Sequence, residues 1–89
     1  MPEPAHVYIL RCRGGTLYTG WTTDVSRRVE QHQVGKGGRY TRSHLPVELI
    51  YQEEYPTQSE AMRRECEIKK MTRQQKLALI ERMGVSGGR

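Results

Sequence analysis

Two stretches rich in β-branched and aromatic residues, His6 to Cys12 and Thr16 to Thr22, are separated only by Arg13-Gly14-Gly15, and that gap constrains the fold most tightly. So short a connection joins neighbouring antiparallel strands, and the chain is expected to open with a β-hairpin. Loop length then decides which side chains share a sheet face. A two-residue Gly14-Gly15 loop pairs Tyr8 with Trp21 and puts Tyr18 on the opposite face. A three-residue loop, Arg13 to Gly15 with glycine in the left-handed position, pairs Tyr8 with Gly20 and Leu10 with Tyr18, so that both phenols share a face. Gly20 leaves a gap beside Tyr8, and such a gap in a strand marks close approach of a ligand or another backbone.

Further along, Asp24 suits the N-cap of a helix running to about Val34, which Gly35-Lys36-Gly37-Gly38 ends. A glycine-rich basic loop follows. Val47 to Tyr55 fits a third strand between Pro46 and Pro56. Thr57-Gln58-Ser59-Glu60 is a capping box for a helix to about Met71, and Thr72 can cap a last helix through Leu77, Leu79 and Ile80 to about Met83. Gly84 to Arg89 reads as a frayed tail. The order ββαβαα implies an α+β domain with a small antiparallel sheet.

Length and composition narrow the function. The 89 residues give room for one compact domain, taken as residues 1–83 and as a monomer, with no Phe and a core that must lean on Tyr, Trp and aliphatic residues. Fifteen Lys and Arg against ten Asp and Glu favour a polyanionic partner, since contact with phosphates releases condensed counterions. Cys12 and Cys66 lack zinc-site spacing and read as reduced packing residues. There is no apolar run near the roughly 20 residues that a membrane helix needs, so a soluble cytoplasmic protein without membrane partners is expected.

Helical projection picks out the candidate site. At 100° per residue, Val25, Arg28, Val29 and His32 share one arc of about 100°, with Arg27, Glu30 and Gln31 opposite. His32 alone would be a satisfied core histidine and Arg28 alone a helix-edge ion pair. Together at i, i+4 they present an imidazole and a guanidinium on one patch, a pair suited to holding a phosphate. In the later helix, Glu65 falls among Ala61, Met62, Cys66 and Ile68 while Glu67 points away. A carboxylate on an apolar stripe needs a partner, either Lys69 at i, i+4 or a divalent cation. Between Val34 and Pro46, Lys36, Arg39, Arg42 and His44 surround glycines and Tyr40, a pattern suited either to an ordinary solvated loop or to gripping phosphates with one base-stacking ring.

Val7-Tyr8-Ile9, followed ten residues later by Tyr18-Thr19-Gly20, resembles the paired signature of the GIY-YIG nucleases. Asp24-Val25-Ser26-Arg27-Arg28 with His32 is similar to that family's first-helix motif, and Glu65-Cys66-Glu67-Ile68-Lys69 to its metal-binding helix. The resemblance spans His6 to Ile80 and is nearest to the small stand-alone bacterial YhbQ-like proteins, with a further likeness to the nuclease domain found in excision repair. His6-Val7 stands where the family name has Gly-Ile, and Thr19 where it has Ile.

The resemblance implies a GIY-YIG fold, a three-stranded antiparallel sheet flanked by helices. It implies an endonuclease hydrolysing phosphodiester bonds in nucleic acid, DNA ahead of RNA, with one divalent cation, Mg2+ or Mn2+, and with DNA repair and nucleotide scavenging both open as its setting. It maps catalytic roles onto Tyr8, Tyr18, Arg28 and His32, and the metal ligand onto Glu65. Tyr8 is the expected base, with help from positive charge or from a relay through His32, because an ordinary phenol titrates at about 10. The competing reading is a nucleic-acid-binding module that does not cut. A third is a protein-interaction domain using the last helix, although Leu77, Leu79 and Ile80 suit completing the core.

Overall fold

A computed structural model describes residues 3–82. Strands β1 (Ala5–Cys12), β2 (Leu17–Thr22) and β3 (Val47–Tyr55) form one antiparallel sheet in the order β2-β1-β3. Helix α1 (Val25–Gln33) and the one-turn helix α2 (Arg39–Arg42) lie between β2 and β3 in the chain, and α3 (Gln58–Lys69) and α4 (Arg73–Arg82) follow β3. This is the α+β arrangement expected, with α2 added inside the segment read as loop. The expected tail beyond Met83 lies outside the described residues. Among the described residues no helix is long and apolar enough to cross a membrane.

The hairpin adopts the longer of the two loops. Cys12 N–H donates to the Thr16 carbonyl at 2.8 Å, leaving Arg13 to Gly15 as the loop, and Gly14 and Gly15 have φ of 92° and 91°. Only glycine enters that region without steric cost. The register follows, with Tyr8 opposite Gly20 and Leu10 opposite Tyr18.

Alternation along β1 supplies two cores. Ala5, Val7 and Ile9 face α3 and α4 and pack with Tyr51, Ala61, Ile68 and Leu79. Tyr8, Leu10 and Cys12 face the other way and pack with Val47, Val29 and Leu45. Full burial of an aliphatic side chain such as Ile9 or Ile68 is worth roughly 1.5–3 kcal/mol, so the central strand, covered on both faces, anchors the fold.

Three caps set the helix starts. Asp24 Oδ1 accepts from Arg27 N–H at 3.1 Å, and Thr57 Oγ1 accepts from Glu60 N–H at 3.2 Å. At α4, Thr72 Oγ1 accepts from Gln75 N–H at 3.1 Å while Gln75 Oε1 accepts from Thr72 N–H at 2.9 Å, a reciprocal box. Gln33 ties α1 to the start of β3 by donating to the Val47 carbonyl and accepting its N–H.

Some expected packing residues lie outside the core. Cys12 is buried, but Cys66 is exposed, and so is Met62 at 48%. Only Ala61 and Ile68 of α3 are buried, because seven residues make nearly two whole turns and place those two in one line. The arc drawn around them in projection is broader than the stripe that actually touches the sheet. On α4, Leu79 is buried and Leu77 is 43% exposed, so Leu77 does not complete the core.

Candidate active site

The second core has a polar end. Tyr8 Oη lies 3.0 Å from His32 Nε2, with the two residues 1% and 0% exposed. Tyr18, two positions before Gly20 on the same face, meets the His32 ring edge-on at a centroid separation of 5.3 Å. The gap at Gly20 is filled from within the chain. A Cβ there would stand 2.6 Å from Tyr8 Oη and 2.7 Å from Cζ, so the glycine makes room for the Tyr8 phenol rather than for a ligand.

His32 is held from its other side by a residue that the sequence pattern does not single out. Its Nδ1 lies 2.8 Å from Oγ1 of buried Thr41, and that hydroxyl lies 3.4 Å from the Gly38 carbonyl. A carbonyl only accepts. The arrangement that satisfies every partner has Thr41 donating to Gly38, His32 Nδ1–H donating to Thr41, and Nε2 accepting from the Tyr8 hydroxyl. The assignment follows from the hydrogen-bond network. Gly37 is equally committed, since a Cβ on it would sit 2.2 Å from His32 Nδ1.

Arg28, one turn before His32, donates from Nη1 to Gln31 Oε1 at 3.0 Å and from Nη2 to the Gly37 carbonyl at 2.7 Å. The segment Gly37 to Thr41 therefore clasps both the arginine and the histidine of α1. Burial raises the Tyr8 phenol above its ordinary range, and the Arg28 guanidinium beside it works in the opposite direction. Burial also lowers His32 below its usual value, with the Arg28 charge adding to the effect. At neutral pH the pair is thus a neutral phenol donating to a neutral imidazole.

Glu65 comes from the helix layer on the other side of the sheet, where α3 packs over β1 and the edge strand β2. Its side chain is 19% exposed and lies 3.4 Å from Lys69 Nζ, so the internal ion pair read from the spacing is formed. The carboxylate charge nonetheless reaches Tyr8, where it is among the influences that raise the phenol. Glu67 points outward to Arg64. Among the described residues no group of three or more His, Cys, Asp or Glu gathers to bind a metal.

The four residues expected to grip nucleic acid, Lys36, Arg39, Tyr40 and Arg42, all lie exposed in the clasping segment or directly beside it and do not join the Tyr8–His32 group. Tyr40 stacks on His44 at 4.0 Å, with an interplanar angle of 12°. Beside Arg28 on the opposite flank, the end of β2, the start of α1 and Gln58 of α3 line an open cleft of about 410 Å³.

Comparison with known proteins identifies the family. Residues 4–78 match the family model of the GIY-YIG catalytic domain. The chain is 54% identical over 81 residues to a UPF0213 protein of Streptococcus sanguinis, covering 91% of this chain and 93% of that one. It is 57% identical over 75 residues to a UPF0213 protein of Staphylococcus epidermidis, covering 84% and 92%. Among solved structures, the solution NMR structure of a UPF0213 protein of Bacillus halodurans superimposes with a TM-score of 0.61 at 44% identity, over 92% of this chain and 87% of that chain. The family match, the sheet order and the pairing of Tyr8 with Gly20 all point the same way, and the chain belongs to the GIY-YIG family, alongside the small bacterial UPF0213 proteins.

Proposed function

We propose that this protein is a metal-dependent endonuclease that hydrolyses phosphodiester bonds in nucleic acid, DNA ahead of RNA. The observation that carries the reading is the buried hydrogen bond from Tyr8 to His32 Nε2 with the Arg28 guanidinium alongside. A phosphodiester is cut when a water attacks in line, developing negative charge is neutralised and the departing alkoxide is stabilised.

Tyr8 is the group that takes the water's proton, and the neutral His32 Nε2 is placed to receive the proton that Tyr8 gives up. Tyr18 orients the water or the phosphate. Arg28, its guanidinium planar and always charged, stabilises the pentavalent phosphate. Lys36, Arg39, Tyr40 and Arg42 hold the neighbouring strand.

Glu65 is the residue that would hold Mg2+ or Mn2+. A single half-buried carboxylate fits such a hard cation, which keeps most of its shell as water and phosphate oxygen, and does not fit zinc, which takes several protein ligands. Bound there, the cation would supply charge neutralisation at the phosphate and the leaving group. Lys69 is 54% exposed, and an ion pair of that kind is weak enough for a divalent cation to displace it.

The same ion pair favours the competing reading, a binding module in which Lys69 neutralises Glu65 permanently. A panel of DNA and RNA structures incubated with purified protein separates the two. Cutting that requires Mg2+ or Mn2+ and stops with EDTA is expected. Binding to the panel with no cutting under either metal overturns the nuclease reading.

A further inference from the structure

The cleft beside Arg28 has no assigned part in the chemistry above. It lies at the end of β2, bringing together Trp21 from the layer facing α3, Arg27, Arg28 and Gln31 from α1, and Gln58 from the start of α3. We propose that this cleft is a single-nucleotide subsite, in which an unstacked base next to the scissile phosphate rests on Trp21. The position of that base relative to the cut rests on the nuclease reading.

Four features support the assignment. First, Arg28 lines the cleft and stands one helical turn before His32, the partner of Tyr8, so a phosphate held by Arg28 puts the attached nucleoside in the cleft. Second, Trp21 is the only tryptophan in the chain and is half-buried: it packs against the core of Val7 and Ala61 yet also lines the cleft. An indole supported in this way loses little side-chain freedom when a base stacks on it, and base stacking on an aromatic tolerates any sequence.

Third, the polar lining suits the rest of a nucleotide. Gln31 Oε1 accepts from Arg28, which leaves its amide NH2 able to donate, and Gln58 offers a second amide. Amides both donate and accept, as the edges of bases require. Arg27 adds a cation for a second phosphate. Asp24 is the lone acid, its Oδ1 engaged by the Arg27 amide, and its charge directs phosphates toward the arginines.

Fourth, size suits the ligand. At about 410 Å³ the cleft lies near the low end of the roughly 300–1,000 Å³ typical of small-ligand pockets. That accommodates one nucleotide. A base reaches the indole only after leaving its own stack, which costs least in single strands, frayed ends and mismatches. The substrate class that follows is single-stranded or locally unpaired nucleic acid rather than intact duplex.

Trp21 fluorescence tests this directly. The full chain is titrated in EDTA, so that nothing is cut, with a short single-stranded oligodeoxynucleotide and with its blunt duplex. The expected result is quenching by the single strand, with at least about tenfold tighter binding than the duplex. Trp21→Leu should weaken single-strand binding by about tenfold to a hundredfold, the range expected of one lost stacking contact, and Trp21→Phe should recover most of it. If Trp21→Leu does not fold, Arg27→Ala and Gln58→Ala, both at exposed positions, serve instead, and each should weaken binding severalfold with an unchanged circular dichroism spectrum. Absent quenching, equal affinity for duplex, or unchanged binding in these variants overturns the proposal. Because no cutting is involved, a protein that passes this test but never cleaves with Mg2+ or Mn2+ contradicts the nuclease reading alone.

Discussion

Tyr8 and His32, 24 positions apart, meet at 3.0 Å inside the smaller of the two cores, phenol oxygen to imidazole Nε2. Neither is exposed by more than 1%. A proton shared there is shielded from bulk water, which is compatible with the proton transfer proposed for the pair. Removing the phenolic oxygen alone, as Tyr8→Phe, should keep the fold and lower single-turnover cleavage by about 100-fold to 10,000-fold, the usual contribution of a positioned acid or base.

Thr41 tests whether the proton's address on His32 matters. In Thr41→Val the Nδ1–H loses its acceptor, and the tautomer with the proton on Nε2 becomes competitive. Imidazole nitrogen NMR should show the Nδ1–H form in the wild type and in Thr41→Ser, and a shift toward Nε2–H in Thr41→Val. Cleavage should fall by about tenfold or more in the valine variant, through kcat rather than KM, and return with serine.

The two tyrosines on one face were legible in the sequence because strand alternation and a loop of fixed length leave few choices, and the observed register is the one that the Arg13-Gly14-Gly15 loop dictates. Arg28 and His32 were legible for the analogous reason, one helical turn. Helix α2 was not, since its four residues are too few for a hydrophobic period and it begins at Gly38 without a side-chain cap. Thr41 was hidden with it, because its importance lies in a contact with a ring nine positions away. Glu65 stood out as a carboxylate on an apolar stripe, but the breadth of that stripe was overdrawn, as exposed Cys66 and Met62 show.

Acid should weaken the fold through His32. Burial holds its folded value below the unfolded one of about 6.5. The unfolded chain therefore binds this proton more readily, and stability is lost as pH falls through about 6.5 toward the lower folded value. Urea unfolding midpoints measured across that window should drop in the wild type and change less in His32→Gln.

Close packing makes two glycines intolerant. A methyl group at Gly37 would collide with the His32 ring at 2.2 Å, and one at Gly20 with the Tyr8 phenol at 2.6 Å. Gly37→Ala and Gly20→Ala should each cost about 1–3 kcal/mol in stability by overpacking. Both should also reduce cleavage, because the displaced group in each case belongs to the Tyr8–His32 pair. Thermal melts and cleavage assays on the same preparations check this.

Away from the site, Glu53 accepts hydrogen bonds from Tyr51, Tyr55 and Arg64, the last at 2.9 and 3.1 Å. Burial pushes its carboxyl upward, but these donors outweigh that and hold it below its ordinary value, while Tyr55 is pushed up to about 12. With side-chain exposures of 13% for Glu53 and 24% for Arg64, losing Glu53 leaves the Tyr51 and Tyr55 hydroxyls without their acceptor and Arg64 with Glu67 as its one remaining carboxylate. Glu53→Ala should lower stability by about 1–3 kcal/mol and leave the affinity for single-stranded oligonucleotide unchanged.

The central claim is that Tyr8, Arg28 and Glu65 act together on one phosphodiester, and the most direct measurement is single-turnover cleavage with Mg2+ or Mn2+ by Tyr8→Phe, Arg28→Ala and Glu65→Ala beside the wild type. The expected result is metal-dependent cutting by the wild type and a loss of at least about 100-fold in each variant, with substrate still bound. Cutting at the wild-type rate by all three would contradict the account.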